Sequence, residues 1–197
     1  MTRVEAALRR IVADLALGAH GFALVGGFAV SARTEPRFTR DVDLVVAVSD
    51  DEEAEQVLRA LRGRGYVVVA TVEQLAADRL ATARLSSPVA PGHELIVDLL
   101  FASSGVESEI VARAEPLELL EDLVVPVAAL GDLLALKLLS RDDDVRPQDA
   151  ADLRALRANA TGDDLALARA TAELITARGY ARGRDLPAAL DALAARC

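Results

Sequence analysis

Phe22-Ala23-Leu24-Val25-Gly26-Gly27-Phe28, followed by Arg37-Phe38-Thr39-Arg40-Asp41-Val42-Asp43-Leu44-Val45-Val46, is the stretch that decides the fold. The first part reads as a short buried strand that ends in a tight glycine turn and opens a helix at about Phe28. Two glycines let backbone N–H groups approach a phosphate, although an ordinary turn has the same look. Pro36 ends that helix. Residues 41–48 then alternate as a strand, with Asp41, Asp43, Val45 and Ala47 on one face. Residues i and i+2 of a strand lie about 6–7 Å apart and point the same way. Two carboxylates so placed in an apolar strand repel and desolvate each other. Either the strand end is open to water, or a divalent cation resolves the conflict.

Working outward, a second apolar strand spans residues 94–101, with Asp98 at the centre of Ile96-Val97-Asp98-Leu99-Leu100. Asp rarely enters such a run without a partner or a metal. If this strand lies beside residues 41–48, three carboxylates converge, enough to hold metal ions and leave one acid as a base. The other reading is an edge strand whose polar face holds Asp98. Arg37, Thr39 and Arg40 precede the paired acids, where Arg can grip phosphate oxygens and Thr can donate a hydroxyl. They serve equally well as a solvated loop.

The remaining pattern places helices over residues 4–17, from about 49 to 62 and, briefly, over 71–77, with strands over 66–70 and 79–85. A turn is expected over residues 86–92. Beyond Ser103 the strand signal nearly vanishes, apart from residues 123–125. Helices are expected over residues 105–114, 127–140, 147–158, 163–178 and 186–195. The expected architecture is α+β: a mixed sheet of about five strands flanked by helices over residues 1–103, and a mainly helical part, a C-terminal helical bundle, over residues 104–197.

Lys137 belongs to the apolar side of its helix, three and four residues from Leu134 and Leu133. All but one of the 22 basic residues are Arg, and Lys137 is the exception. A compact ammonium there suits a polyphosphate, or it snorkels to the surface. Asp149 and Asp152 share one face of the next helix, where they orient Lys137, meet a substrate, or simply cap a helix start.

Composition excludes several classes. Hydrophobic types make up 52% of the 197 residues, enough for a sizeable core. No apolar run approaches the roughly 18 residues of a membrane span, and nothing in the opening residues reads as a secretion signal. One Cys, Cys197, and two His, His20 and His93, support neither a disulfide framework nor a multi-histidine centre. A cytoplasmic protein is expected. The net charge of −9 argues against a blanket basic surface for nucleic acid, but Arg33, Arg37, Arg40, Arg79 and Arg84 could form a local patch.

Taken in order, Val25-Gly26-Gly27, then Arg37-x-Thr39-x-Asp41-x-Asp43-Leu44, then Lys137 and Gln148-Asp149-Ala150-Ala151-Asp152, resemble the nucleotidyltransferase superfamily of the DNA polymerase β type. The pattern is most similar to its AbiEii branch, the MenT-like toxins of type IV toxin–antitoxin systems. The resemblance implies a nucleotidyltransferase-like fold and transfer of a nucleoside monophosphate from an NTP to an acceptor hydroxyl. It implies Mg²⁺ on Asp41 and Asp43, with Asp98 as a third acid. The triphosphate would meet Gly26, Gly27 and Lys137, with Arg37, Thr39, Asp149 and Asp152 completing the nucleotide site. tRNA is among the acceptors it implies, and an antitoxin protein among the partners.

Two rival functions stay open at this level. One is an antibiotic-type enzyme that modifies a small molecule. The other is a degenerate member that binds a nucleotide or a partner without turnover, suggested by Phe28 where the family commonly offers Ser or Thr.

Overall fold

The computed structural model describes residues 2–75, 77–89, 95–142 and 147–195. Readings made for His93, Cys197 and residues 90–92 of the turn over residues 86–92 lie outside these.

Chain order runs α1 (Arg3–Ala16), β1 (Phe22–Val25), α2 (Gly26–Arg33), β2 (Val42–Val46), α3 (Asp51–Arg62), β3 (Val67–Gln74), β4 (Arg79–Ser86) and β5 (Ile96–Leu100). It continues through α4 (Glu107–Arg113), β6 (Glu115–Leu120), β7 (Leu123–Val127), α5 (Leu130–Ser140), α6 (Pro147–Asn159), α7 (Gly162–Ala177) and α8 (Leu186–Ala194). Local chemistry explains the helix starts. Thr2 and Glu5 form a reciprocal capping box on α1, Thr161 and Asp164 do the same on α7, and Asp50 caps α3.

The strands form one mixed sheet in the order β3-β4-β5-β2-β1-β7-β6. β2 lies between β1, to which it is antiparallel, and β5, to which it is parallel. This puts β2 and β5, apolar apart from Asp43 and Asp98, in the middle of the sheet, where both faces are covered and hydrophobic runs are required. Leu8 and Ile11 of α1, Leu24, Leu44 and Leu99 of the sheet, and Leu134, Leu156 and Ile175 of the later helices join in one core.

Two expectations need correction. Residues 71–77 do not make a short helix: β3 runs on to Gln74, with Thr71 opposite Ala83 and Val72 opposite Thr82. β-Branched residues favour this pairing over a helical turn. The sheet has seven strands rather than about five, because β6 and β7 form a hairpin on the far edge. β6 reads Glu115-Pro116-Leu117-Glu118-Leu119-Leu120, with a proline and two acids, a composition that an edge strand tolerates and that hides it from a periodicity search. Arg33 secures this edge by donating to the carbonyls of Val127 and Ala128 and pairing with Glu115. The sheet therefore draws strands from both sides of residue 103.

α5 is apolar nearly all round and buried along most of its length. Gly131 lets α7 approach closely: a Cβ there would lie 2.4 Å from the Asp164 carbonyl oxygen. The buried axis of α5 carries Lys137 toward α6 and the sheet centre. Among the described residues no helix is long and apolar enough to cross a membrane.

Candidate active site

Register places the acids. Asp43 on β2 is paired with Asp98 on β5 on one side and with Val25 on β1 on the other. Adjacent strands lie about 4.8 Å apart, and register partners share a face. Asp41, immediately before β2, feels the Asp98 charge as well. Asp41, Asp43 and Asp98 thus lie near one another across β2 and β5.

Their electrostatic states differ. Burial, Asp98 and Asp41 push the Asp43 carboxyl up to about 6, against the opposing pull of Lys137 and of the Gly27 N–H, which donates to it. Asp41 is also raised, first by burial and then by Asp98. Among the described residues neither makes an ion pair. Asp98 has a full partner: Arg84 donates through Nε to Oδ1 at 2.9 Å and through Nη2 to Oδ2 at 2.6 Å.

Gly26 and Gly27 form the junction of β1 and α2. Gly26 has φ +63°, and a Cβ on it would sit 1.9 Å from Asp43 Oδ2. The glycine pair therefore first serves to admit the Asp43 carboxylate against the helix N-terminus, where dipole and N–H favour an anion. A Cβ on Gly27 would lie 2.7 Å from Thr39 Oγ1 and 3.0 Å from Arg37 Nη2, so the loop before β2 packs over this turn. Phe28 faces the core, packed against it in part.

The second half of the site is a chain of charges. Lys137 Nζ lies 2.9 Å from Asp149 Oδ1 and 2.8 Å from Asp152 Oδ2. Arg37 reaches the same Asp152, with Nη2 donating to Oδ2 at 2.7 Å and Nε at 2.7 Å from Oδ1. Of the alternatives for Asp149 and Asp152, orienting Lys137 is what the geometry displays. Asp149 Oδ2 is buried and accepts no hydrogen bond from the described residues. Lys137 does not snorkel: its side chain is 15% exposed, and its charge reaches Asp43.

The expected basic patch is largely consumed. Arg33 pairs with Glu115, Arg37 with Asp152, Arg79 with Asp51 and Arg84 with Asp98. Arg40 lies over the exposed Phe38 ring at 5.9 Å. His20 sits near Glu53 at a turn, a structural place. Sequence reasoning passed over Asp132, which is fully buried on α5 and held by Arg113 and the Thr171 hydroxyl. The signal was an acid within Leu130-Gly131-Asp132-Leu133-Leu134, and its contacts tie α5 to α4 and α7.

No group of three or more acidic, His or Cys side chains among the described residues forms a ready metal cage. The donor chemistry still fits a hard cation: two neighbouring carboxylates that make no ion pair among the described residues, at the mouth of a glycine turn. Two cavities of about 240 Å³ each lie elsewhere, one between α1 and α3 and one beside Phe101, Arg178 and Tyr180.

A mixed sheet that gathers acids on two central strands beside a glycine turn, faced by a lysine from a later helix, defines a nucleotidyltransferase. The chain belongs to the AbiEii family: the family described as "Nucleotidyl transferase AbiEii toxin, Type IV TA system" matches residues 7–195. No curated protein matches the chain. Among solved structures it is similar to an antigenic nucleotidyltransferase-like protein from Paracoccidioides brasiliensis, at 20% identity and TM-score 0.53, over 96% of this chain and 93% of that one. It is also similar to MenT4, the nucleotidyltransferase toxin Rv2826c from Mycobacterium tuberculosis H37Rv, at 18% identity and TM-score 0.52, over 87% of this chain and 62% of that one. The lincosamide antibiotic adenylyltransferase LnuA, solved with lincomycin bound, matches at 16% identity and TM-score 0.51, over 79% of this chain and 98% of that one. At these identities the structural likenesses speak for the fold.

Proposed function

We propose that this protein moves a nucleoside monophosphate from an NTP to an acceptor hydroxyl, using Mg²⁺ held by Asp41 and Asp43, as the toxin of a type IV toxin–antitoxin system. One observation carries the reading. Asp98, Asp149 and Asp152 each have an ion-pair partner, whereas Asp41 and Asp43 make no ion pair among the described residues, and burial with the nearby Asp98 raises both carboxyls. A divalent ion bound there would supply the missing charge and polarise the α-phosphate.

The chain's own groups have separable tasks. An ammonium has three donors. Asp149 and Asp152 take two from Lys137, which leaves one for a phosphate oxygen. Arg37, anchored on Asp152, holds the loop that carries Thr39 across Gly27. The acceptor oxygen bonds to the α-phosphorus as the bond to pyrophosphate breaks. In this reading residues 1–103 carry the acids and residues 104–197 carry Lys137, Asp149 and Asp152. The setting is the cytoplasm, with an antitoxin as partner.

tRNA is the acceptor of first choice, from the toxin family. The second reading, a small hydroxylated molecule, is favoured by the net charge of −9 and by the four candidate arginines already paired to acids. The test supplies each labelled NTP with Mg²⁺ to wild type and Asp43→Asn, with tRNA or an aminoglycoside or lincosamide as acceptor. Label on tRNA that falls at least a hundredfold in the variant is the expected result. Label only on a drug selects the second reading. NTP binding without any transfer overturns the enzymatic reading.

A further inference from the structure

Asp98 is the third acid by position, yet it is the one acid of the three with a complete counter-ion. Arg84 stands in register with it on the neighbouring antiparallel strand β4. Its planar fork spans both carboxylate oxygens, the geometry in which Arg binds a carboxylate most strongly. The carboxylate is 11% exposed while the arginine side chain is 49% exposed, so the pair is closed on the acid side and open on the cation side. The Arg84 guanidinium also feels Asp41 and Asp43. It occupies the place from which a second cation would otherwise draw both the Asp98 oxygens and the field of the other two acids.

We infer that Arg84 is a built-in cation that takes Asp98 out of metal binding, so that this chain binds a single divalent ion on Asp41 and Asp43. Arg84 is then a positioning residue: it fixes Asp98 beside Asp43 and supplies part of the positive charge that neighbouring acids need. This inference rests on the metal reading given under Proposed function.

Mn²⁺ alone tests it, followed by loss of the free-ion electron paramagnetic resonance signal and by calorimetry. The variants are Asp43→Asn, Arg84→Gln, and the double variant Arg84→Gln with Asp98→Asn. The double variant removes both charges together and leaves the net charge unchanged. Wild type is expected to bind one Mn²⁺, and Asp43→Asn to bind at least tenfold more weakly. The double variant is expected to stay within about threefold of wild type. Arg84→Gln, which frees Asp98, is expected to gain a second equivalent or to bind at least tenfold more tightly. A double variant that loses Mn²⁺ as Asp43→Asn does, while retaining the wild-type melting transition, overturns the inference and makes Asp98 a ligand. So does a wild type that binds two ions. Wild type that binds no Mn²⁺, or an Asp43→Asn variant that binds it normally, overturns the metal reading itself. Should the double variant fail to fold, Arg84→Gln alone decides: unchanged stoichiometry and affinity there count against the inference.

Discussion

A Cβ on Gly26 would lie 1.9 Å from Asp43 Oδ2, closer than any non-bonded atoms can sit. The glycine turn and the acid are therefore one structural unit, and neither can change without the other.

Gly26→Ala is the direct probe of that unit. The residue has φ +63°, where a side chain costs about 1 kcal/mol or more, and the clash adds about 1–3 kcal/mol of overpacking. The expected result is a loss of about 2–4 kcal/mol in urea denaturation. Nucleotidyl transfer should fall at least a hundredfold in the protein that remains folded. Wild-type activity in Gly26→Ala would show that Asp43 can work from another position.

Lys137 has a stability role that can be separated from its chemistry. Lys137→Met leaves Asp149 and Asp152 facing each other in a buried site. Breaking such a pair by removing one partner costs about 3–5 kcal/mol. Lys137→Met combined with Asp149→Asn should recover at least half of that loss, because Asp152 keeps Arg37. Transfer activity should stay absent in both. Denaturation curves and turnover measured side by side check the split.

Asp43 makes the metal-free protein less stable as the pH rises. Its folded pKa, pushed up to about 6, lies above the 3.8 of an ordinary aspartate. Between these values the folded state holds more protons than the unfolded one, so stability falls with rising pH. The melting temperature of wild type in chelator should therefore fall, relative to that of Asp43→Asn, from about pH 4 to about pH 6. Asp43→Asn should exceed wild type above pH 6. Addition of Mg²⁺ above pH 6 should restore the wild type and leave the variant unmoved.

Asp132 should behave in the opposite way to the site acids. It is fully buried and bound by Arg113 and Thr171, on a different face of α5 from Lys137 five residues on. Arg113→Ala should destabilise by about 3–5 kcal/mol, since it strands a buried charge. Turnover per folded molecule should stay within about twofold of wild type. A selective loss of activity at full stability would assign Asp132 a part in the chemistry.

How much of this was legible beforehand depends on how local each feature is. The strand with the glycine turn, the Asp41–Asp43 pair and the apolar strand around Asp98 could be read directly, since central strands need continuous hydrophobic runs. The side of α5 that bears Lys137, and the shared face of Asp149 and Asp152, followed from helical spacing. β6 was missed because Pro116, Glu115 and Glu118 suit an edge rather than a core strand. The continuation of β3 through Thr71 and Val72 was missed because its apolar face is exposed, with Val69 and Val72 more than half accessible, and carries no clean alternation.

Amino-acid order alone settled which groups could serve the chemistry, because side-chain periods of two and 3.6 residues place neighbours along one element on a common face. Which of those groups meet was decided by packing between elements. The registers of β2, β5 and β4 set Asp43 beside Asp98 and Asp98 beside Arg84, and the approach of α5 to α6 joined Lys137 to Asp149, Asp152 and, through Asp152, Arg37. A slip of one residue in any of those strands would turn the acids to the other face, which is why the assignment of a free acid pair and a neutralised third acid belongs to the folded molecule.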